Sequence, residues 1–422
     1  MIGVRKQKRI KHWRSASWLL LALWLLGAVS AYAQSPAWTQ WGGPNRNFKL
    51  EVKGLANTWP EKGPRQLWSR ELGEGYSGIA AVAGQLYTMY RQGDREIVIA
   101  LDAKTGKTIW EHGYDAPYQG FNRDGGPGPH AMPLVVDERV YAVGATGKFH
   151  CLDKQNGKVL WFHDLYSEYG GTRRKFGYSC NPFAYQGMVI MLVGGRGSAI
   201  MAFDQKDGRV VWQKQDFMNA HSTPVLINVD GQDQIVAFMA KEVAGVDPRS
   251  GELLWSHSHP TDFDLAVSMP VWGEDNLLFL SSAYNGGSRC LKLSRAGGKT
   301  VVQELWHTPK VYVHFGNIIR VGDYIYCSSG QGPAFFTAVE VKTGKIAWQE
   351  RMPRASFLYV NGKFIIIDED GHLALADASP AGLQVQAKIE LLKQNAWTVP
   401  TLVETKLYVR DRKTIVALEL GN

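Results

Sequence analysis

The sequence predicts an all-β chain whose strands close into a ring of eight four-stranded antiparallel sheets, and three observations carry that prediction. The first is the stretch Ala100-Leu101-Asp102-Ala103-Lys104-Thr105-Gly106-Lys107-Thr108-Ile109-Trp110, which sets an acid, a glycine four residues on and a tryptophan four beyond that; the same frame recurs along most of the chain. The second is the period: the closing tryptophans fall at 110, 161, 212, 255, 306 and 348, separated by 51, 51, 43, 51 and 42 residues, which suits four strands per unit. The third is that the chain opens with a second half of a unit and ends with a first half. Outside the N-terminal segment no run sustains helical periodicity.

That N-terminal segment comes first in the chain. Arg5, Lys6, Lys8, Arg9, Lys11 and Arg14 precede an apolar run from Trp18 to Val29, and Ala31-Tyr32-Ala33 follows before Gln34. This is the pattern of a secretory signal peptide over residues 1–33, leaving a single domain over 34–422. The apolar run is short against the roughly 20 residues of a stable span, so no transmembrane span is expected after cleavage; an uncleaved N-terminal anchor is the alternative. No twin-arginine pair is present and no cysteine precedes Cys151, which speaks against lipid modification. The expected location is periplasmic or secreted.

Removing the six basic residues of that segment from a formal net charge of +8 leaves +2. Nucleic acid is not an expected partner, because no basic stripe interleaved with aromatics remains. Hydrophobic residues make up 45% of the chain and charged residues 20%, which excludes a disordered polymer and supports a sizeable core. Cys151, Cys180, Cys290 and Cys327 are widely spaced. They fit no metal knuckle or haem attachment, and they are either small buried strand residues or members of one or two disulfides.

The repeats then follow in order. The frame appears as Asp153, Gly157, Trp161, as Asp204, Gly208, Trp212, as Asp247, Gly251, Trp255 and, with glutamate, as Glu340, Gly344, Trp348. An apolar pair precedes each acid and a short run leads into each tryptophan, which reads as strand, tight turn, strand. The acid caps the turn backbone and glycine supplies the positive φ. The indole buries its faces between neighbouring sheets. Trp306 ends a degenerate copy that starts at Cys290-Leu291-Lys292, with Arg295 to Glu304 read as an enlarged turn; in the next, Leu375, Asp377 and Gly382 keep the turn and Gln386 stands in the tryptophan's place. The chain stops at Val416-Ala417-Leu418-Glu419, a first half, while Gln66-Leu67-Trp68-Ser69-Arg70 is an orphan second half. Pairing the two completes an eighth unit, so the prediction is an eight-bladed β-propeller closed by its N- and C-terminal segments.

These copies resemble the pyrroloquinoline-quinone (PQQ) repeat, Ala-x-Asp-x-x-Thr-Gly-x-x-x-Trp, shared by quinoprotein dehydrogenases and by the propeller lipoprotein of the outer-membrane barrel-assembly machinery. Trp41-Gly42-Gly43-Pro44-Asn45-Arg46-Asn47 and Trp59-Pro60 further resemble secreted PQQ-binding-like propeller proteins. The resemblance implies the fold strongly and the function weakly, because the shared residues are structural. It implies a non-catalytic binding or assembly scaffold in the cell envelope, with a protein or polysaccharide partner and no cofactor, or alternatively a PQQ-dependent oxidoreductase, with calcium, acting on an alcohol or sugar. Against the second, the vicinal cysteine pair typical of the dehydrogenases is missing; Asp262 and Asp264 are the best-placed acids for a base.

Candidate site residues come from the geometry of such a ring, in which the starts of the inner strands converge on the axis. Counting three residues back from each strand-opening proline gives His130, Ser179, His221, Val267 and Trp397, and alignment of the other units adds Tyr76, His314 or Phe315, and Arg354. This ring either binds a polar or aromatic ligand or simply lines a channel. No metal is expected, since the three histidines lie in alternate units without a fixed carboxylate. The acidic turn Asp368-Glu369-Asp370-Gly371 reads as a hairpin. Two long loops, 113–129 and 164–177, are expected on the same face as this ring, as a contact surface or as tolerated insertions.

Overall fold

The computed structural model describes residues 37–421, so the predicted signal peptide lies outside the described residues. Eight sheets follow one another around the ring. Blade 1 is built of Ala80–Val82, Gln85–Gln92, Arg95–Asp102 and Thr108–Asp115, paired in that order. Blades 2 to 7 repeat the plan over residues 134–164, 183–214, 225–258, 271–308, 313–351 and 355–390. Blade 8 takes three strands from residues 401–419 and its outer strand, Arg65–Glu71, from the other end of the described chain. The register runs from Arg65 opposite Glu419 to Glu71 opposite Thr414, with Trp68 opposite Ala417, which is the predicted closure.

One rule makes each outer strand. Where third and fourth strands pair, the register slips by one residue beside the tryptophan: Trp110 faces Ala100, Thr108 faces Leu101 and Ile109 bulges out. Past the bulge the indole swings to the next blade. Trp110 Nε1 donates to the Lys154 carbonyl at 2.9 Å, and the ring lies where a Cβ on Gly157 would sit, 2.4 Å from its nearest atom. Trp68 repeats this on Ala103 and Gly106, Trp161 on Gln205 and Gly208, Trp212 on Pro248 and Gly251, and Trp306 on Val341 and Gly344. The motif glycine therefore does two jobs: it holds φ near +70°, as Gly106 does, and it leaves room for a neighbour's indole. Asp102 caps its turn as expected, accepting from the Thr105 amide and hydroxyl, both at 2.7 Å.

The structure corrects two motif assignments and qualifies a third. In blade 7, Ser379 pairs with Gly382 in a tight hairpin, one residue out of step with the other turns, so Ala387 faces Leu375 in the tryptophan's register and Gln386 occupies the bulge, bonded to Asp377. Around Trp306 there is no enlarged turn; both strands extend to ten residues, Gly287–Ala296 and Lys299–Thr308, and stay paired to the tip. Trp255 turns its Nε1 to Gln234 of its own blade at 2.7 Å, because the blade that follows has no motif glycine to receive it.

Side chains staple the inner ends of the blades. Ser77 Oγ donates to the Ala131 carbonyl at 2.7 Å, Asn317 bonds the Phe357 backbone through both its amide groups, and Thr398 and Thr401 donate to Tyr76 and Ile79 across the closure. Arg410, wholly buried, donates to the carbonyls of Gly75, Ser77 and Met89 and to Thr88 Oγ1, satisfying a guanidinium that burial would otherwise make costly. The four cysteines are free and buried, which leaves the core-filling reading of them.

Residues 38–50 cross the axis. Trp38 bridges to Ala81 of blade 1, Thr39 accepts from Val135 of blade 2, Arg46 donates to Ala184 of blade 3 and stacks on Phe183, and Lys49–Leu50 pairs in parallel with Tyr359 and Val360 of blade 7. These contacts lie toward the far ends of the inner strands, so the Trp-Gly-Gly-Pro stretch forms a floor beneath the ring of strand starts.

Candidate functional site

Above that floor the eight strand starts enclose a cavity of about 380 Å³. Every predicted ring residue lines it: Tyr76, His130, Ser179, His221, Val267, His314, Phe315, Arg354 and Trp397. The counting rule works because the inner strand of each blade starts at the same height, so equivalent positions must meet at the axis. Trp41 reaches the cavity from the floor, and Tyr284, Phe176 and Gly125 complete the wall. These were missed because they come from the floor segment and the inter-strand loops, outside the counted position.

One side of the cavity is aromatic. The Trp397 ring centroid is 4.8 Å from that of Tyr76 and 4.7 Å from that of Phe315, and Tyr76 stacks on His130 at 6.0 Å. Tyr76 spends its hydroxyl on the Gly125 carbonyl, and burial raises its pKa to about 12. The other side is a polar chain. Arg354 pairs with Glu369 at 2.6 Å and lies over the Phe315 ring at 4.4 Å. Its Nη1 donates to His314 Nδ1 at 2.9 Å, and His314 Nε2 meets the Tyr284 hydroxyl at 2.7 Å. Glu369 also accepts from Trp397 Nε1 at 3.2 Å, so the acidic hairpin predicted at 368–371 supplies the counter-ion of the ring arginine. The only sequence signal for that was the acid itself.

The three histidines are neutral. Burial lowers His130 to about 4, His221 to about 3 and His314 to about 4, with neighbouring positive or ionisable groups adding to the effect at His221 and His314. They do not converge: His130 bonds the Phe176 carbonyl at 3.1 Å, His221 Nδ1 meets Ser179 Oγ at 2.6 Å, and His314 belongs to the arginine chain. Among the described residues no three His, Cys, Asp or Glu side chains gather as a metal site needs. The Ser179–His221 contact has no carboxylate behind it, and a histidine held neutral so far below pH 7 is a poor general base. Asp262 and Asp264 do not line the cavity; Asp262 bonds Asn285 at 2.6 Å.

The two long loops meet at the mouth. The Asn122 amide donates to the Lys175 carbonyl at 2.7 Å and Tyr118 Oη to the Phe176 carbonyl at 3.0 Å. Arg173 lies over Phe121 at 4.7 Å and over Tyr166 at 5.7 Å. Beneath them, buried Glu96 accepts from Arg91 at 2.9 Å, Tyr114 at 3.1 Å and the Ala145 amide at 3.0 Å, and Arg91 holds the Ala116 carbonyl at 2.6 Å. The loops are thus one ordered platform at the rim.

A PQQ molecule, a tricarboxylate usually held with calcium, does not fit these residues. Arg354 is the one cation lining the cavity and Glu369 already neutralises it, while Asp124, the one carboxylate of the lining, is bonded to Asn122.

Comparison with known proteins agrees with the fold. The outer membrane protein assembly factor BamB of Moranella endobia is 24% identical over 330 residues, 72% of this chain and 77% of that protein. Among solved structures, BamB from Moraxella catarrhalis superposes with a TM-score of 0.59 at 17% identity, over 84% of this chain and 99% of that one. Quinohemoprotein alcohol dehydrogenase from Comamonas testosteroni superposes at 0.65 with 14% identity, over 92% and 81%. At such identities these two structures speak for the propeller alone. The family model described as outer membrane protein assembly factor BamB matches residues 94–350, more than half of the chain, and on that match the chain belongs to this family.

Proposed function

We propose that the chain is an exported, non-catalytic scaffold of the cell envelope that takes part in outer-membrane protein assembly, presenting the loop platform at the cavity mouth to a protein partner. The interlocked loops are the observation that carries this reading. Exposed Arg173 held over Phe121 and Tyr166 has the composition of an interface centre, where arginine and aromatics dominate binding energy. Because the loops are already ordered by Glu96 and Arg91, less conformational freedom is lost on association. Relatives at low identity are named for outer-membrane assembly, which supports the same role. Export rests on the signal peptide read at residues 1–33; a mature protein beginning at Gln34 would support it.

The test is a photo-crosslinking residue placed at Phe121 in the full chain, expressed in its native envelope. A recurrent protein partner is expected there and not from the same label at exposed Val385 on the outer strand of blade 7. Equal or absent capture at both sites, or capture of polysaccharide alone, would overturn the reading. The oxidoreductase alternative predicts quinone absorbance and dye reduction after reconstitution with PQQ and calcium, and the cavity's single neutralised arginine weighs against it.

A further inference from the structure

The polar chain beside the cavity has a direction. An arginine can only donate, so the bond from Arg354 Nη1 requires a lone pair on His314 Nδ1. The one proton of this neutral ring then sits on Nε2 and is donated to the oxygen of Tyr284. That leaves the Tyr284 O–H as the free end of a chain running Arg354, His314, Tyr284, each bond polarising the next. His221 also lines the cavity, but its unpartnered Nε2 is itself closed off, with less than 1 Å² accessible.

On the opposite wall the two large aromatic side chains have their polar atoms already engaged. Tyr76 has committed its hydroxyl to Gly125 and Trp397 its Nε1 to Glu369, so both present ring faces. Within the wall Arg354 and Glu369 cancel, and the one other charged group of the lining, Asp124, is exposed at the mouth and bonded to Asn122. At about 380 Å³, floored by Trp41, the space is the size of a small-molecule site.

We infer that this cavity binds an uncharged, flat aromatic group bearing a carbonyl or amide oxygen, with the ring against Tyr76, Trp397 and Phe315 and the oxygen on Tyr284. The same chemistry is offered by a free aromatic amide and by an aromatic residue within an extended peptide, and the site is independent of the scaffold role assigned to the outer platform.

Calorimetric titration of the whole mature chain tests this with three probes: N-acetyl-L-tryptophanamide, indole, which has the ring without the oxygen, and a blocked pentapeptide with a central tryptophan. Saturable one-site binding of the amide is expected, tighter than that of indole. Tyr284→Phe should weaken the amide about tenfold, as the loss of one hydrogen bond does, and leave indole unchanged. Trp397→Ala should weaken both. A peptide that binds more tightly than the amide identifies a polypeptide source, and one that binds less tightly a free molecule; either supports the site. No saturable binding of amide or peptide at millimolar concentration overturns the inference, as does an unchanged amide affinity in Tyr284→Phe. Should that variant fail to fold, equal affinities of amide and indole for the unaltered chain overturn the donor assignment.

Discussion

At the outer junctions Trp110, Trp161 and Trp212 make the same contact again and again, each indole entering the space left by the next blade's glycine. At the axis the equivalent position of successive blades holds Tyr76, His130, Ser179 and His221, no two neighbours alike. The difference separates two demands on one repeat. A repeated junction keeps the ring closing at a near-constant angle, with Trp255 and the tryptophan-less blade 7 as the departures, whereas an axial position meets its counterparts at a single point and is free to differ. Uniformity marks residues that hold the ring; variety marks those that give it a particular interior.

That contrast can be broken at several places. Trp161→Ala should lose about 3–5 kcal/mol in urea unfolding, as large-to-small core changes do; a loss below 1 kcal/mol would mean the indoles do not hold the junctions. Gly208→Ala comes next, at about 2–4 kcal/mol, because the new methyl meets both a φ of +75° and the Trp161 ring at 2.6 Å. Gly187→Ala, with a φ of +81° and nothing within 4 Å, carries the backbone strain alone and should cost about 1–2 kcal/mol. Equal losses at the two glycines would remove the indole from the account.

The axial ring should show itself through pH. His221 has its folded pKa lowered to about 3, below its unfolded value, so the unfolded chain binds protons first as pH falls. Its contribution is complete above about pH 6.5 and drains away toward pH 3, by about 1.4 kcal/mol per unit. His221→Gln should therefore flatten the fall in stability between pH 6.5 and 5 by about 2 kcal/mol; parallel pH curves for the two proteins would show that the ring titrates freely. Smallest of all, Trp397→Ala should cost about 1 kcal/mol, since this half-buried indole faces open cavity on one side. A loss as large as that of Trp161 would make the axial ring structural.

Much of the molecule was legible in the chain because each repeat writes its own turn. Asp102 and Gly106 report a hairpin through local hydrogen bonding and φ, Trp68 and Glu419 report the closure as two unmatched halves, and the proline count places His130 and His221 at the axis. The slips came where local spacing misled: the tight hairpin at Ser379 and Gly382 displaced Gln386 by one position, and a lengthened strand pair passed for an enlarged turn at Trp306.

The sequence by itself determined the number of blades, their closure and, to within one residue, which position each sends to the axis, since all three follow from the period of the repeats and the turn chemistry that each copy carries. Only the tertiary structure decided what those residues do to one another. Ser179 meets His221 42 positions away, Arg354 meets His314 40 away, and the loops lock through Asn122 and Lys175. Such pairings depend on side-chain directions at the centre of a closed ring, where every blade is a neighbour of the same small volume and no local pattern records who faces whom.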